Sequence, residues 1–174
     1  MPSAPSLPTE APTPEPSVDP RSPKALAALL TFTSPPQDDP AVQSAIDAYE
    51  EFLRQFIIAE GLGDPAYPPL LALINTEDQV FVDSLLSGPQ AADKADYYAA
   101  GPLAERVTDA AGNESRVLID TCTDYTDRKV YKEGSDDFVE DFNFGVIRTR
   151  AVMTQAAKGW ILRDISLPDE QNCE

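Results

Sequence analysis

At 174 residues the chain has room for one domain and something besides. Its formal charge of −17, from 30 acids against 13 bases, repels phosphate backbones and anionic lipid, so neither a nucleic-acid partner nor electrostatic docking on a membrane is expected. Histidine is absent and two cysteines cannot form a zinc site, which leaves no expected metal or other cofactor.

Residues 1–40 hold eleven of the seventeen prolines, with Ser, Thr, Ala and Glu making up most of the rest. Such a stretch lacks the apolar side chains that offset chain entropy, and it reads as a disordered, polyproline-like spacer. One apolar run, residues 25–32, interrupts it. Leu26, Leu29 and Leu30 there suit one or two helical turns docked on the domain, far short of the roughly 20 residues that span a bilayer. Met1 leads straight into Pro-Ser-Ala-Pro with no charged or apolar signal region. A removed signal or a lipidated cysteine is therefore expected upstream of Met1. The folded domain is expected over residues 41–174, and it carries −14 of the charge, since residues 1–40 hold five acids and two bases.

Asp39-Pro40 reads as an N-cap followed by proline at the first helical position. Behind it, Val42, Ile46, Tyr49, Leu53, Phe56 and Ile57 form one apolar stripe, and Gly61 and Gly63 end the helix. Prolines 65, 68 and 69 allow only a short helix over residues 64–74. Thr76-Glu-Asp-Gln79 has capping-box form ahead of Val80, Phe81 and Leu85, and Gly88-Pro89 stops that helix. Residues 90–99 read as a further, alanine-rich helix anchored by Tyr97 and Tyr98, closed by Gly101-Pro102.

The rest reads as strand. Residues 103–108 form a short strand, with a turn at 109–113. Residues 115–125 form the central strand, and Lys129–Lys132 pairs back on it. An acidic loop covers 133–141. Residues 143–156 and 160–167 are the last two strands, joined by a turn at 157–159. Helices followed by an antiparallel sheet make an α+β domain.

Period two divides the central strand into two faces. Val117, Ile119, Thr121, Thr123 and Tyr125 form the less polar face, turned toward the helices. Leu118, Asp120, Cys122 and Asp124 form the other. Three readings stand for Asp120 and Asp124: general acid or base, cation ligands together with Asp127, or carboxylates of a solvated sheet face. Arg148 and Arg150 share a face, and would either receive an anion or pair with acids across strands. Asn113-Glu-Ser115 is both a glycosylation sequon and a hairpin turn. Cys122 as a nucleophile has no histidine to activate it. Bonded to Cys173 it would close a loop of 50 intervening residues and place the protein outside the reducing cytosol; two free cysteines are the alternative.

The long helix, the strand Ile119-Asp-Thr-Cys-Thr-Asp124 and the ending Lys158-Gly-Trp-Ile-Leu-Arg-Asp164 before Cys173 together resemble a family of secreted actinobacterial proteins, over roughly residues 41–173. Many members look like lipoproteins or proline-linked envelope proteins of unassigned function. The resemblance implies an NTF2-like (SnoaL-like, cystatin-like cone) fold, N-terminal helices packed on a curved antiparallel sheet. It also implies pairing of the cysteine in an Asp-Cys-x-Asp strand motif with a C-terminal cysteine. This chain departs by one residue, Thr121, inserted between the acid and the cysteine. The expected function is a non-enzymatic extracytoplasmic domain, secreted or at the cell envelope. It would bind an envelope protein or a small apolar ligand, or a second copy through the sheet, and touch the membrane only through a lost signal or lipid anchor. The alternative is an isomerase or cyclase with a pocket carboxylate and tyrosine, drawn from Tyr49, Tyr97, Tyr98 and Asp120.

Overall fold

A computed structural model describes residues 19–90, 97–132, 145–168 and 173. The long helix forms as its ends dictate. Asp39 Oδ1 accepts the Ala41 N–H at 2.8 Å, and Pro40 occupies the first turn of the helix Pro40–Leu62. Gly63 closes it with φ 63°, a left-handed conformation that costs a glycine little. The buried stripe runs through Val42, Ile46, Tyr49, Leu53 and Ile57 as expected, and is widened by Phe52 and Ile58.

Upstream, the expected boundary at residue 41 is corrected. Pro23–Ala27 is a short helix (α1) capped by Ser22, and Leu30–Thr33 is a strand (β1). Leu26 and Leu30 are buried members of the one core. Leu26 packs directly on Gly61 of the long helix (α2), where any Cβ would collide with it. Composition made residues 1–40 look uniform, but the apolar run within them buries enough surface to order it. The remainder of the spacer, residues 1–18, lies outside the described residues.

After α2 come Pro68–Leu71 (α3) and Gln79–Leu85 (α4). The N-cap of α4 is Asp78, whose side chain accepts from Phe81 N, rather than the expected Thr76. Gly88-Pro89 does not stop the helical run, since residues 87–90 are still helical.

Strands Leu103–Asn113 (β3), Arg116–Asp124 (β4), Val146–Ala156 (β6) and Gly159–Ser166 (β7) join β1 in a five-stranded sheet of order β1-β3-β4-β6-β7. β1 runs parallel to β3, and the other pairings are antiparallel. The strand singled out by sequence is the middle of the sheet. β3 continues to Asn113 through a bulge between Val107 and Asp109, so the turn falls at residues 114–115 instead of 109–113. Asn113 Oδ1 fixes that turn, accepting from Ser115 N at 2.9 Å and Arg116 N at 3.2 Å.

Two further expectations are corrected. Tyr97–Ala100 is a strand (β2), not the end of a helix, and Lys129–Lys132 (β5) pairs with it rather than with β4. Tyr98 and Tyr131 stack across this ribbon, centroids 5.5 Å apart, a cross-strand aromatic pair that outweighs the helical preference of the alanines. Residues 91–96 and the acidic loop lie outside the described residues.

Helix α2 lies across the inner face of the sheet, against β3, β4, β6 and β7. This is the α+β, NTF2-like cone arrangement: a long helix packed on one face of a mostly antiparallel sheet, with the interior between them. Val117, Ile119, Thr121 and Thr123 of β4 are buried on that side, as period two predicts.

Candidate functional site

The interior of the cone holds an acid that the sequence reading passed over. On β3, Leu103, Glu105 and Val107 point inward, and Glu105 is 1 % exposed. Tyr49, from the middle of α2 and also 1 % exposed, donates its hydroxyl to Glu105 Oε1 at 3.1 Å. Beside them Thr121 and Thr149 share a hydrogen bond of 2.7 Å between hydroxyls. Phe32 meets the Tyr49 ring edge-on and Phe52 stacks on it, which fixes the ring. Glu105 Oε2 has no partner in hydrogen-bond geometry among the described residues.

Burial therefore sets the chemistry. It pushes the Glu105 carboxyl up, with the neighbouring Thr121, Thr123 and Tyr49 hydroxyls acting the other way. Tyr49 rises well above its ordinary value, through burial first and the Glu105 charge second. A carboxyl next to a tyrosine hydroxyl is the donor–base combination of proton-transfer sites. Here both groups are sealed from solvent.

Of the four residues expected to form a pocket, the structure brings only Tyr49 to this interior. Asp120 is on the opposite face of β4, bound bidentately by Arg150 at 2.6 and 2.7 Å and reached by Arg148 at 3.4 Å. The Arg150 hydrogen bond holds its carboxyl below the usual range, against a smaller opposing effect of burial. The cross-strand register, Asp120 opposite Arg150 and Cys122 opposite Arg148, makes this pairing inevitable. Tyr98 lies in the β2–β5 ribbon, with the Arg21 guanidinium 5.0 Å from its ring centre. Tyr97 sits opposite Lys132 in the same ribbon, and its side chain lies outside the described residues. The ribbon is fastened to the end of α2 by an ion pair between Glu60 and the buried Arg128, which also donates to Gly101 O at 3.3 Å.

Cys122 and Cys173 are joined by a disulfide, Cα atoms 5.7 Å apart, on the outer face of the sheet. Asp124, the other carboxylate beside Cys122, accepts from Thr126 N at 2.9 Å in the following turn and stays exposed. Further along this face a cleft of about 520 Å³ is lined by Asp78, Arg116, Val152, Thr154, Arg163 and Asp164. Among the described residues no three His, Cys, Asp or Glu side chains are grouped to hold a metal ion, and no helix is long and apolar enough to cross a membrane.

The Glu105 site was findable. The alternation that turns Leu103 and Val107 inward carries Glu105 with them, and an inward acid is the informative residue in such a strand.

No family model and no curated protein matches this chain. Among solved structures, the intermembrane space region of the chloroplast protein ARC6 superposes with a TM-score of 0.50 at 12% identity, over 76% of this chain and 98% of that one. A domain of unknown function with a cystatin-like fold from Nostoc punctiforme gives a TM-score of 0.44 at 16% identity, over 78% and 81%. At these identities the likeness is one of fold.

Proposed function

We propose that this chain is an extracytoplasmic, non-enzymatic domain, secreted or held at a cell envelope as a lipoprotein-type protein by its proline-rich N-terminal spacer, that binds a protein or a small apolar ligand. The observation that carries the location is the Cys122–Cys173 disulfide, since disulfides form and persist chiefly where thiols are not kept reduced. The ARC6 region of like fold is described as the intermembrane space region of a chloroplast protein. The non-catalytic half rests on the filled interior. Where a cone would admit a substrate, Tyr49, Glu105 and Thr121 pack with almost no exposed surface, so recognition falls to the outside of the sheet. That face offers Leu118 and Val146 as exposed apolar side chains, and a second copy is one partner it suits.

The test is thiol trapping of the protein in its own cells, quenched in acid. A chain that takes up alkylating reagent only after reduction is the expected result; two thiols alkylated without reduction would remove the extracytoplasmic reading. Light scattering over a range of concentrations separates self-association from capture of a different partner.

The Tyr49–Glu105 hydrogen bond favours a second reading, an isomerase or cyclase in which Glu105 takes the place expected of Asp120 as base. It requires the helix to move off the sheet. Titration with planar apolar ligands, followed by tyrosine fluorescence in the wild type and in Glu105→Gln, is the discriminating measurement: saturable binding lost in the variant supports this reading, and an unresponsive spectrum removes it.

A further inference from the structure

The disulfide has an electrostatic setting that a purely structural staple does not need. In the register of the sheet, Cys122 of β4 lies between Arg106 of β3 and Arg148 of β6, all on the outer face. The Arg106 guanidinium donates from Nη2 to the Cys173 backbone carbonyl at 2.9 Å. Arg148 spends only one nitrogen, Nη2, on Asp120, at a long 3.4 Å. Its Nε–H is buried and has no hydrogen-bond partner among the described residues. A buried donor without an acceptor is costly, and one on a residue directly across from a cysteine calls for an explanation.

A thiolate at Cys122 supplies it. The neutral disulfide sulfur is a poor acceptor, whereas the thiolate left by opening the bridge is an anion flanked across the strands by two arginines. The acids facing the same position cancel them only in part. Asp120 is held chiefly by Arg150 and meets Arg148 only at 3.4 Å, and Asp124 is exposed and turned to the Thr126 amide. Stabilising the reduced form of a cysteine pair makes its disulfide easier to open and a better oxidant.

We propose that Cys122–Cys173 is an exchangeable bridge that accepts electrons from a dithiol protein, with Cys122 as the leaving thiolate. The partner's thiolate attacks Sγ of Cys173, the half-buried member of the pair. An S–S bond forms to the partner, the Cys122–Cys173 bond breaks, and its electron pair stays on Cys122 beside Arg106 and Arg148. The partner's second thiolate then attacks the mixed disulfide and releases the Cys173 thiolate, which takes up a proton. The partner leaves as a disulfide, oxidised by two electrons, and this chain is reduced by two. Arg106 and Arg148 act through Cys122 and are positioning residues.

The experiment uses the purified oxidised chain, so its failure leaves the extracytoplasmic reading standing. Wild type, Arg106→Gln/Arg148→Gln and Arg148→Lys are equilibrated in graded reduced and oxidised glutathione, and the thiols are trapped and counted by mass. The double variant should be about tenfold harder to reduce, which corresponds to about 30 mV, with Arg148→Lys in between. In parallel, Cys173→Ser leaves Cys122 free, and its thiolate absorbance should titrate below the ordinary value of about 8.5 and return to it when both arginines become glutamine. Identical reduction equilibria across the set, or a Cys122 thiol titrating at or above about 8.5 in Cys173→Ser, overturns the proposal. Should the double variant not fold, the Cys173→Ser titration decides alone.

Discussion

The two faces of the central sheet hold one distinctive carboxylate each, and they are governed by opposite physics. Glu105, on the inner face, meets a tyrosine and threonines but no cation, and burial drives its carboxyl up. Asp120, on the outer face, meets two guanidinium groups, and its carboxyl is driven down. Both are buried by surface area. Burial alone thus does not say what an acid is doing; the charge of its partners does. The inner acid is held at a cost to stability and the outer one contributes to it.

The outer face is expected to give the largest single effect. Replacing both cysteines by serine removes a cross-link between positions 51 apart, worth about 4 kcal/mol in the chain-entropy account. Urea unfolding of the double variant should show a corresponding drop in midpoint; an unchanged midpoint would mean that the staple holds nothing together.

Asp120→Asn comes next. It leaves Arg148 and Arg150 without their acid, and the loss should be about 1–2 kcal/mol at neutral pH. That lies toward the lower end for hydrogen bonds to charged groups, because the Arg150 side chain is 44% exposed and screened. The folded carboxyl titrates below its ordinary 3.8, so its stabilising effect is present above that pH and fades as the pH falls further. Asp120→Asn should flatten that acid limb of the stability curve.

On the inner face the sign reverses. Glu105 titrates above its ordinary 4.5 when folded, so the folded state holds its proton longer than the unfolded chain does. Its contribution is most favourable below about pH 4.5 and is lost as the pH rises through the folded value. Glu105→Gln keeps an acceptor for Tyr49 and removes the charge. It should raise stability at pH 7 by about 1 kcal/mol, by removing the cost of ionising a buried acid, and abolish this falling limb. A variant less stable than wild type at pH 7 would show that the ionised acid is stabilised by something beyond its visible partners.

An effect of similar size, opposite in sign, should come from Thr149→Val. It deprives the Thr121 hydroxyl of its 2.7 Å partner at nearly constant shape, for a loss of about 1 kcal/mol in thermal or urea unfolding. Since Thr121 also adjoins Glu105, the cost should shrink in a Glu105→Gln background, a coupling that a double-mutant cycle reads directly.

Much of this was legible in one dimension because it is set by neighbours a few residues apart. The span of α2 follows from Asp39-Pro40, a 3.6-residue stripe and Gly63. The two faces of β4 follow from alternation, which sent Thr121 inward and Cys122 outward. By the same alternation Glu105 was readable as an inward acid between Leu103 and Val107. Its partner Tyr49 lies 56 residues away, and no local pattern joins them. Tyr97 and Tyr98 were misassigned for the same reason: a tyrosine pair before two alanines suits either structure, and the choice fell to β5, thirty-odd residues downstream.

What the amino-acid sequence determined by itself was therefore the set of elements with local punctuation, their buried faces, the acidic character of the whole and the presence of a single possible cysteine pair. Tertiary structure alone decided that the apolar run inside the proline-rich segment becomes an edge strand parallel to β3, that Asp120 meets arginines while Glu105 meets a tyrosine, and that Tyr49, Glu105 and Thr121 pack together between helix and sheet. Caps and periodicity act over one turn or one pleat and leave their mark on adjacent residues. Strand pairing and the meeting of buried polar groups are settled only when distant segments compete for the same surface.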